Sequence, residues 1–361
     1  MKLAAIADVH LGNHQVFSGP RRGGLNGRAR LVLEALERAR DLAGARGCGM
    51  LAVAGDLFDT SRPPPAHIAA VQDIFRHVHS YGVHVLCGNH DQTSATKGDN
   101  AIAPLAPVAK VHQSPAIVGP VCFVPFRNEP AEDYIRSALE RVYRGPGQAE
   151  VLVVHAGVED ESTKPFLRGA HDSIHVDALE KLLKDCGFTC AIVGNWHHQQ
   201  VWRRGEIEIA QCGALVPTGF DNPGIRGYGG FITWDSDKPA GQRVTAEQLI
   251  GPRFVSAGDA DRLLMEIEDW PRELVYGQVK CPSSAVPQQL RAAGELGLAG
   301  VRVVASQASA KALAAKAVEG AQGGATQDEA IAAWVESMGV SGCSQREVLA
   351  EVRDLLAQAQ G

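Results

Sequence analysis

Apolar positions in the first 200 residues fall into short unbroken runs, and each run ends on Gly, Asp, Asn or His. Leu3–Ala7 leads into DVHLG (Asp8–Gly12), Met50–Ala54 into Gly55 and Asp56, and Val83–Cys87 into GNHD (Gly88–Asp91). Val151–Val154 leads into His155, and Ala191–Val193 into Gly194, Asn195, Trp196 and His197. Runs this short, without alternation, predict strands buried on both faces, as in parallel sheets. Between them the spacing turns helical. Leu31, Ala35, Leu36 and Ala39 share one face; Ile68, Val71, Ile74, Phe75 and Val78 share another, after Pro63–Pro65 placed at a helix start. Strand and helix alternate in this way up to Asp91, which predicts βαβ units.

From Gln113 to Phe126 the pattern changes to short strands broken by Pro and Gly. Helices are predicted over Ala131–Val142 and Val176–Leu183, and the turn-rich stretch Glu206–Asp235 reads as further short strands. Two βα-rich blocks each followed by a β-rich block predict an α/β fold, two sheets face to face with helices outside. The polar stretch Asp235–Arg253, with Pro239 and Gly241, is the expected boundary of a first domain, residues 1–235. A compact β-α-β-α-β unit is expected over 253–306. Beyond it Ala305–Ala325 has few large apolar groups and reads as a linker. Residues 326–361 then predict two short amphipathic helices, because Thr326 to Glu329 and Ser344 to Glu347 each fit a capping box.

Composition changes this picture little. Of 361 residues, 45% are apolar, enough for a sizeable core, and the length favours one large domain with a smaller one. The net charge is −6, from 35 Lys and Arg against 41 Asp and Glu, so any nucleic-acid contact must rest on local patches. One such patch is the Gly-rich loop Asn13–Gly27 with Arg21 and Arg22, followed by Arg28 and Arg30. These arginines either grip phosphates or belong to a solvated loop balanced by Glu34 and Glu37. The eight cysteines form no zinc or disulfide pattern, and no apolar stretch nears membrane-span length. The expectation is a soluble cytoplasmic protein with reduced thiols.

The strand ends carry the chemistry. Open α/β sheets collect ligands where their strands end, and a carboxylate delivered there by Asp56 can be shared by two metal ions. DVHLG, GD, GNHD, a lone His after a strand and a last Gly-x-x-His segment together resemble the calcineurin-like metallophosphoesterase superfamily. The wording DVHLG, GDLFDTSRPP, GNHD, VHAGV and GALVPTGF is most similar to its SbcD-type DNA-repair nuclease branch. That resemblance implies a two-sheet α/β/β/α sandwich with a capping domain and two divalent ions, most typically manganese. Asp8, His10, Asp56 and His197 would hold the first ion; Asp56, Asn89 and His155 would hold the second. His90 would contact the scissile phosphate or protonate the leaving oxygen, oriented by Asp91. The family pattern Gly-His-x-His is broken here, because Asn195 stands where an imidazole ligand of the second ion is expected; an amide oxygen can still ligate, more weakly. The resemblance further implies DNA as substrate, a homodimer, and an SbcC-like ATPase as partner of the C-terminal helices, which otherwise fold back on the capping domain or pair with a second copy. Other phosphoesterases of this chemistry and a non-catalytic binding scaffold are the rival readings.

Overall fold

A computed structural model of the chain describes residues 1–305 apart from 79, 94–99, 144, 146, 162–171, 221–228, 268 and 269. The expected C-terminal helices, 326–361, lie outside the described residues. In chain order the elements begin with β1 (Lys2–Ile6), α1 (Gly27–Ala45), β2 (Met50–Val53), α2 (Pro65–Arg76), β3 (Gly82–Leu86) and β4 (Lys110–His112). Next come β5 (Ala116–Val118), β6 (Val121–Val124), α3 (Ala131–Val142), β7 (Val151–His155), β8 (Gly157–Glu159), β9 (Ser173–His175) and α4 (Val176–Cys186). β10 (Cys190–Gly194), β11 (Gln200–Arg204), β12 (Ile207–Gln211), β13 (Gly230–Asp235) and β14 (Val244–Gln248) complete the first unit.

Two six-stranded sheets result, in the orders β14-β13-β1-β2-β3-β4 and β11-β12-β10-β7-β6-β5. The pairs β1–β2, β2–β3 and β3–β4 are parallel in the first sheet; β6–β7, β7–β10 and β10–β12 are parallel in the second. The unbroken apolar runs follow from this layering. In β1, Ala4 and Ile6 face the helix layer of α1 and α2, while Leu3 and Ala5 join the layer between the sheets. In β7, Leu152 and Val154 face α3 and α4, while Val151 and Val153 point to the same inner layer. That inner core is filled by Phe123, Ile192, Ile232 and Trp234. A strand buried on both faces has no polar position to alternate with. The predicted α/β/β/α sandwich is therefore the fold.

The expected boundary at 235–253 is instead occupied by a strand. β14 pairs antiparallel with β13, Trp234 opposite Val244, at the edge of the first sheet. Its sequence, VTAEQ, buries only Val244, so nothing in its pattern distinguishes it from a loop. The first compact unit accordingly runs from Met1 to Phe254 and includes Leu274–Tyr276. The second unit contains β15 (Arg253–Ala257, from Val255), α5 (Ala260–Glu266), β16 (Val275–Cys281, from Gly277), α6 (Val286–Gly294) and β17 (Gly300–Ala305). Its strands form one sheet in the order β15-β16-β17, with α5 and α6 between them along the chain. Among the described residues every cysteine is a free thiol, and no helix is long and apolar enough to cross a membrane.

Candidate metal centre

Parallel pairing brings the strand ends together. Ile6 lies opposite Val53, Val53 opposite Val85, and Gly194 opposite His155, so the segments that follow emerge side by side. The loops after β1 and β2 stay zipped beyond the strands. Asp8 N donates to the Gly55 carbonyl (3.2 Å), His10 N to Asp56 O (3.0 Å) and Leu11 N to Leu57 O (3.0 Å). This zipper holds three ligand candidates in backbone conformations that side chains rarely take: Asp8 at φ 49°, His10 at φ 45° and Asp56 at φ 51°. Asn195, at φ 94°, is a fourth. Of the five non-glycine residues with positive φ among those described, four are sequence-predicted ligands, the fifth being Phe17. Strain of this kind persists where the surrounding structure over-determines it, and it concentrates at functional sites.

The side chains converge. His10 Nε2 lies 3.0 Å from His197 Nε2 and 3.7 Å from Asp56 Oδ2. On the other side of Asp56, Oδ1 is 3.5 Å from His155 Nε2, which lies 2.8 Å from Asn89 Oδ1. Among the described residues three groups of possible ligand atoms each fit within 4.8 Å: Asp8, His10 and His197; His10, Asp56 and His90; and Asp8, Asp56 and His155. Asp8, His10 and Asp56 each belong to two of them, and the two oxygens of Asp56 face His10 on one side and His155 on the other. His155 donates Nδ1–H to the Ala54 carbonyl (2.8 Å), which leaves Nε2 to face the site. Two motif glycines make room: a Cβ at Gly88 would strike the Asp56 carboxylate, and one at Gly55 would strike the His155 ring.

Other predicted residues are placed differently. Asn195 donates its backbone N–H to both Asp8 oxygens (3.0 and 3.1 Å), while its side-chain Nδ2 faces Asp172. His90 is exposed, and its Nδ1 donates to the Asp59 carbonyl at 3.1 Å. Asp91 does not orient it, contrary to expectation. The fully buried Asp91 carboxylate accepts from Phe58 N (3.1 Å) and Gly88 N (3.0 Å) instead, tying the β3 loop to the β2 loop. Arg21 and Arg22 are exposed in their loop, and neither makes a hydrogen bond to the centre. Arg28, grouped with them by sequence, sits in the first turn of α1, fully buried, and donates to the carbonyls of Val16, Pro217 and Thr218. It fastens loops together rather than reaching outward.

Asp59 is a residue that sequence reasoning passed over. Its carboxylate lies 3.5 Å from His10 Nδ1 and 3.8 Å from His14 Nδ1, behind the ring that faces the site. Carboxylates in that position fix the tautomer of a metal-binding imidazole and raise its basicity. The only signal was its place in the GDLFD string, three residues after Asp56.

The electrostatics favour positive charge here. Burial alone would lower the proton affinity of His155, yet Asp56, with help from Asp8, pushes its pKa up to about 9. Burial likewise opposes ionisation of Asp56, but His155, His10 and His90 hold its carboxyl well below the ordinary range. Burial and then the Asp56 charge push Asp91 up to about 6. A cluster of Asp, His and Asn donors that draws a proton to such strength fits a divalent cation of borderline hardness.

Comparison with known proteins bears on the same residues. A family model described as calcineurin-like phosphoesterase matches residues 1–199, from β1 through the Gly194–His197 segment. Among solved structures, TT1561 of Thermus thermophilus is 14% identical, with 68% of this chain and 98% of that chain covered and a TM-score of 0.37. An archaeal phosphodiesterase is 10% identical, with coverage of 69% and 100% and a TM-score of 0.33. The phosphopantetheinyl hydrolase of Mycobacterium tuberculosis is 12% identical, with coverage of 59% and 88% and a TM-score of 0.33.

Proposed function

Because the chain belongs to the calcineurin-like phosphoesterase family, and with it to the metal-dependent phosphoester hydrolases, we propose that it is a DNA nuclease of the SbcD type. The observation that carries the hydrolytic part is the convergence of Asp8, His10, Asp56, Asn89, His155 and His197 around the shared Asp56. The nuclease branch is supported by the wording of GDLFDTSRPP and GALVPTGF and by the β-α-β-α-β unit that follows Phe254.

Asp8, His10, Asp56 and His197 would hold one cation, and Asp56, Asn89, His155 and Asn195 a second, with manganese the proposed ion. Bound there, divalent ions supply Lewis-acid charge for in-line attack of water on phosphorus. The protein's own groups do the rest. Asp56 fixes the spacing of the two half-sites. The Ala54 carbonyl holds the His155 ring in place from behind, and the Asp59 carboxylate stands 3.5 Å behind His10 Nδ1. His90, anchored through Nδ1, is exposed beside His10 and Asp56, where its ring can act on the leaving oxygen. Asp91 keeps the GNHD loop seated, a structural role. DNA is the proposed substrate, an SbcC-like ATPase binding residues 326–361 the proposed partner, and a homodimer the proposed assembly.

The test is a linear duplex DNA incubated with manganese, with and without EDTA, beside a mononucleotide and a small phosphodiester. Chelator-sensitive degradation of DNA is expected. Hydrolysis of the small substrates with DNA left intact would move the protein to another branch of the family.

A further inference from the structure

The residue at 195 poses a problem that an imidazole would not. An amide has one end that can ligate a cation, Oδ1, and one that cannot, the Nδ2 group with its two protons. An Asn ligand therefore works only if something fixes which end faces the site. Asn195 Nδ2 lies 3.1 Å from Asp172 Oδ2 and 3.4 Å from the Asp172 main-chain carbonyl. A carboxylate and a carbonyl only accept, so the NH2 end must face Asp172 and Oδ1 is turned away from it. The rest of the residue is held as firmly: its φ is 94° and its backbone N–H is bound by both oxygens of Asp8.

Asp172 is itself set by the fold. Its carbonyl accepts from Gly157 N at 3.0 Å, and the next residue, Ser173, pairs with Gly157 in the small β8–β9 ladder. Gly157 is two residues beyond His155, and His155 and Asp172 line one small cleft. Yet the Asp172 carboxylate is absent from the groups that converge as possible ligands, so it acts through Asn195 and not on a cation directly.

We propose that Asp172 is a positioning residue: it orients the Asn195 amide so that Oδ1 serves the second cation in place of the missing imidazole. This rests on the two-cation reading of the site. The experiment is calorimetric titration of the full chain with Mn2+, supported by electron paramagnetic resonance for a spin-coupled manganese pair. Asp172→Asn keeps the shape but admits either amide orientation. It is expected to leave the first binding event within threefold, which also reports an intact fold, and to weaken the second by roughly 10–100-fold with loss of coupling. In an Asn195→Asp background both terminal atoms are oxygens and no orientation remains to be set. There Asp172→Asn should leave the second affinity unchanged or strengthen it, because a repelling carboxylate is removed. Equal weakening in both backgrounds would overturn the proposal in favour of plain negative charge at 172. An unchanged second affinity after Asp172→Asn alone would also overturn it. A wild-type protein that takes up one Mn2+ only would bring down the two-cation reading itself, whatever Asp172 does.

Discussion

Two pairs of histidines in the first unit bring ring nitrogens equally close, and they are chemically opposite. His10 and His197 approach to 3.0 Å at the ends of β1 and β10; His84 and His112 approach to 2.9 Å within β3 and β4. Both pairs are largely shielded from water. Around the first, Asp56 and Asp59 stand 3.7 and 3.5 Å from His10, and its proton affinity rises although burial opposes this. Around the second there is an aromatic stack: His112 lies on Phe123 with centroids 4.0 Å apart and planes 10° apart, and His84 stacks beside it. Burial pushes the His84 pKa down to about 4. Burial, then His84 and Lys110, push His112 to about 3. Proximity of imidazoles is thus no sign of a metal site. Carboxylates at the strand ends make one, and a dry sheet interface makes the other a neutral packing element.

The largest expected effect comes from making the first pair resemble the second. Asp56→Asn removes the shared carboxylate, and both cations should be lost with it. Turnover should fall by roughly 10³-fold or more, matching several kcal/mol of charge stabilisation in the transition state. Hydrolysis assays with metal analysis of the dialysed protein would show this. An Asp56→Asn protein retaining two bound ions would break the comparison.

His90 sharpens it. Its ring lies 4.8 Å from that of His10, edge to face, close enough to count as a third imidazole of the cluster. If it works on the leaving oxygen, His90→Ala lowers turnover by about 10²–10⁴-fold while Mn2+ affinity stays within a few-fold. A tenfold or larger loss of affinity, measured by calorimetry, would make it a ligand instead. Asp59→Asn should act the other way round, weakening the first ion by roughly 10-fold or more through His10, with His90 intact.

How much of this was legible follows from which signals are local in the chain. Five strand ends and their Asp, Asn and His residues could be read directly, because each ligand follows its own apolar run and parallel strands end together. The helices α1 and α2 could be read from period, and α2 also from Pro63–Pro65 at its start. What escaped depends on contacts between loops. Asp59 and Asp172 gain their places only when the β1 and β2 loops zip and the β8–β9 ladder forms. Asp91 looked like a partner of the adjacent His90, but its carboxylate is consumed by the Phe58 and Gly88 amides. Arg28 looked like a loop cation because nothing local says that three carbonyls from Val16, Pro217 and Thr218 will surround it. His84 was hidden inside the run Val83–Cys87, where a neutral imidazole stands in for an apolar residue.

The smallest effect is on stability, and it belongs to the second pair. Both histidines have folded-state pKa values below the ordinary 6.5, at about 4 and about 3, so the unfolded chain binds protons there before the folded one does. With more protons on the unfolded state, stability rises with pH across this window. The contribution is therefore complete above pH 6.5 and is lost progressively as pH falls toward 4. Each group gives a slope on the order of 1 kcal/mol per pH unit. His112→Phe keeps a ring against Phe123 and removes one titrating group. At neutral pH it should cost about 1 kcal/mol, the hydrogen bond to His84 Nδ1. Below pH 6.5 it should lose stability about half as steeply as the wild-type pair does. Urea unfolding at pH 7.5, 6.0 and 5.0, in EDTA to silence the metal centre, measures both quantities, and the difference between variant and wild type cancels the other titrating groups. Phosphoester hydrolysis at neutral pH should be unchanged, since this pair stacks on Phe123 between the sheets and belongs to none of the groups that converge at the metal centre. Identical slopes in the two proteins would mean that His112 is protonated in the fold, and the contrast between the two pairs would fail on that side.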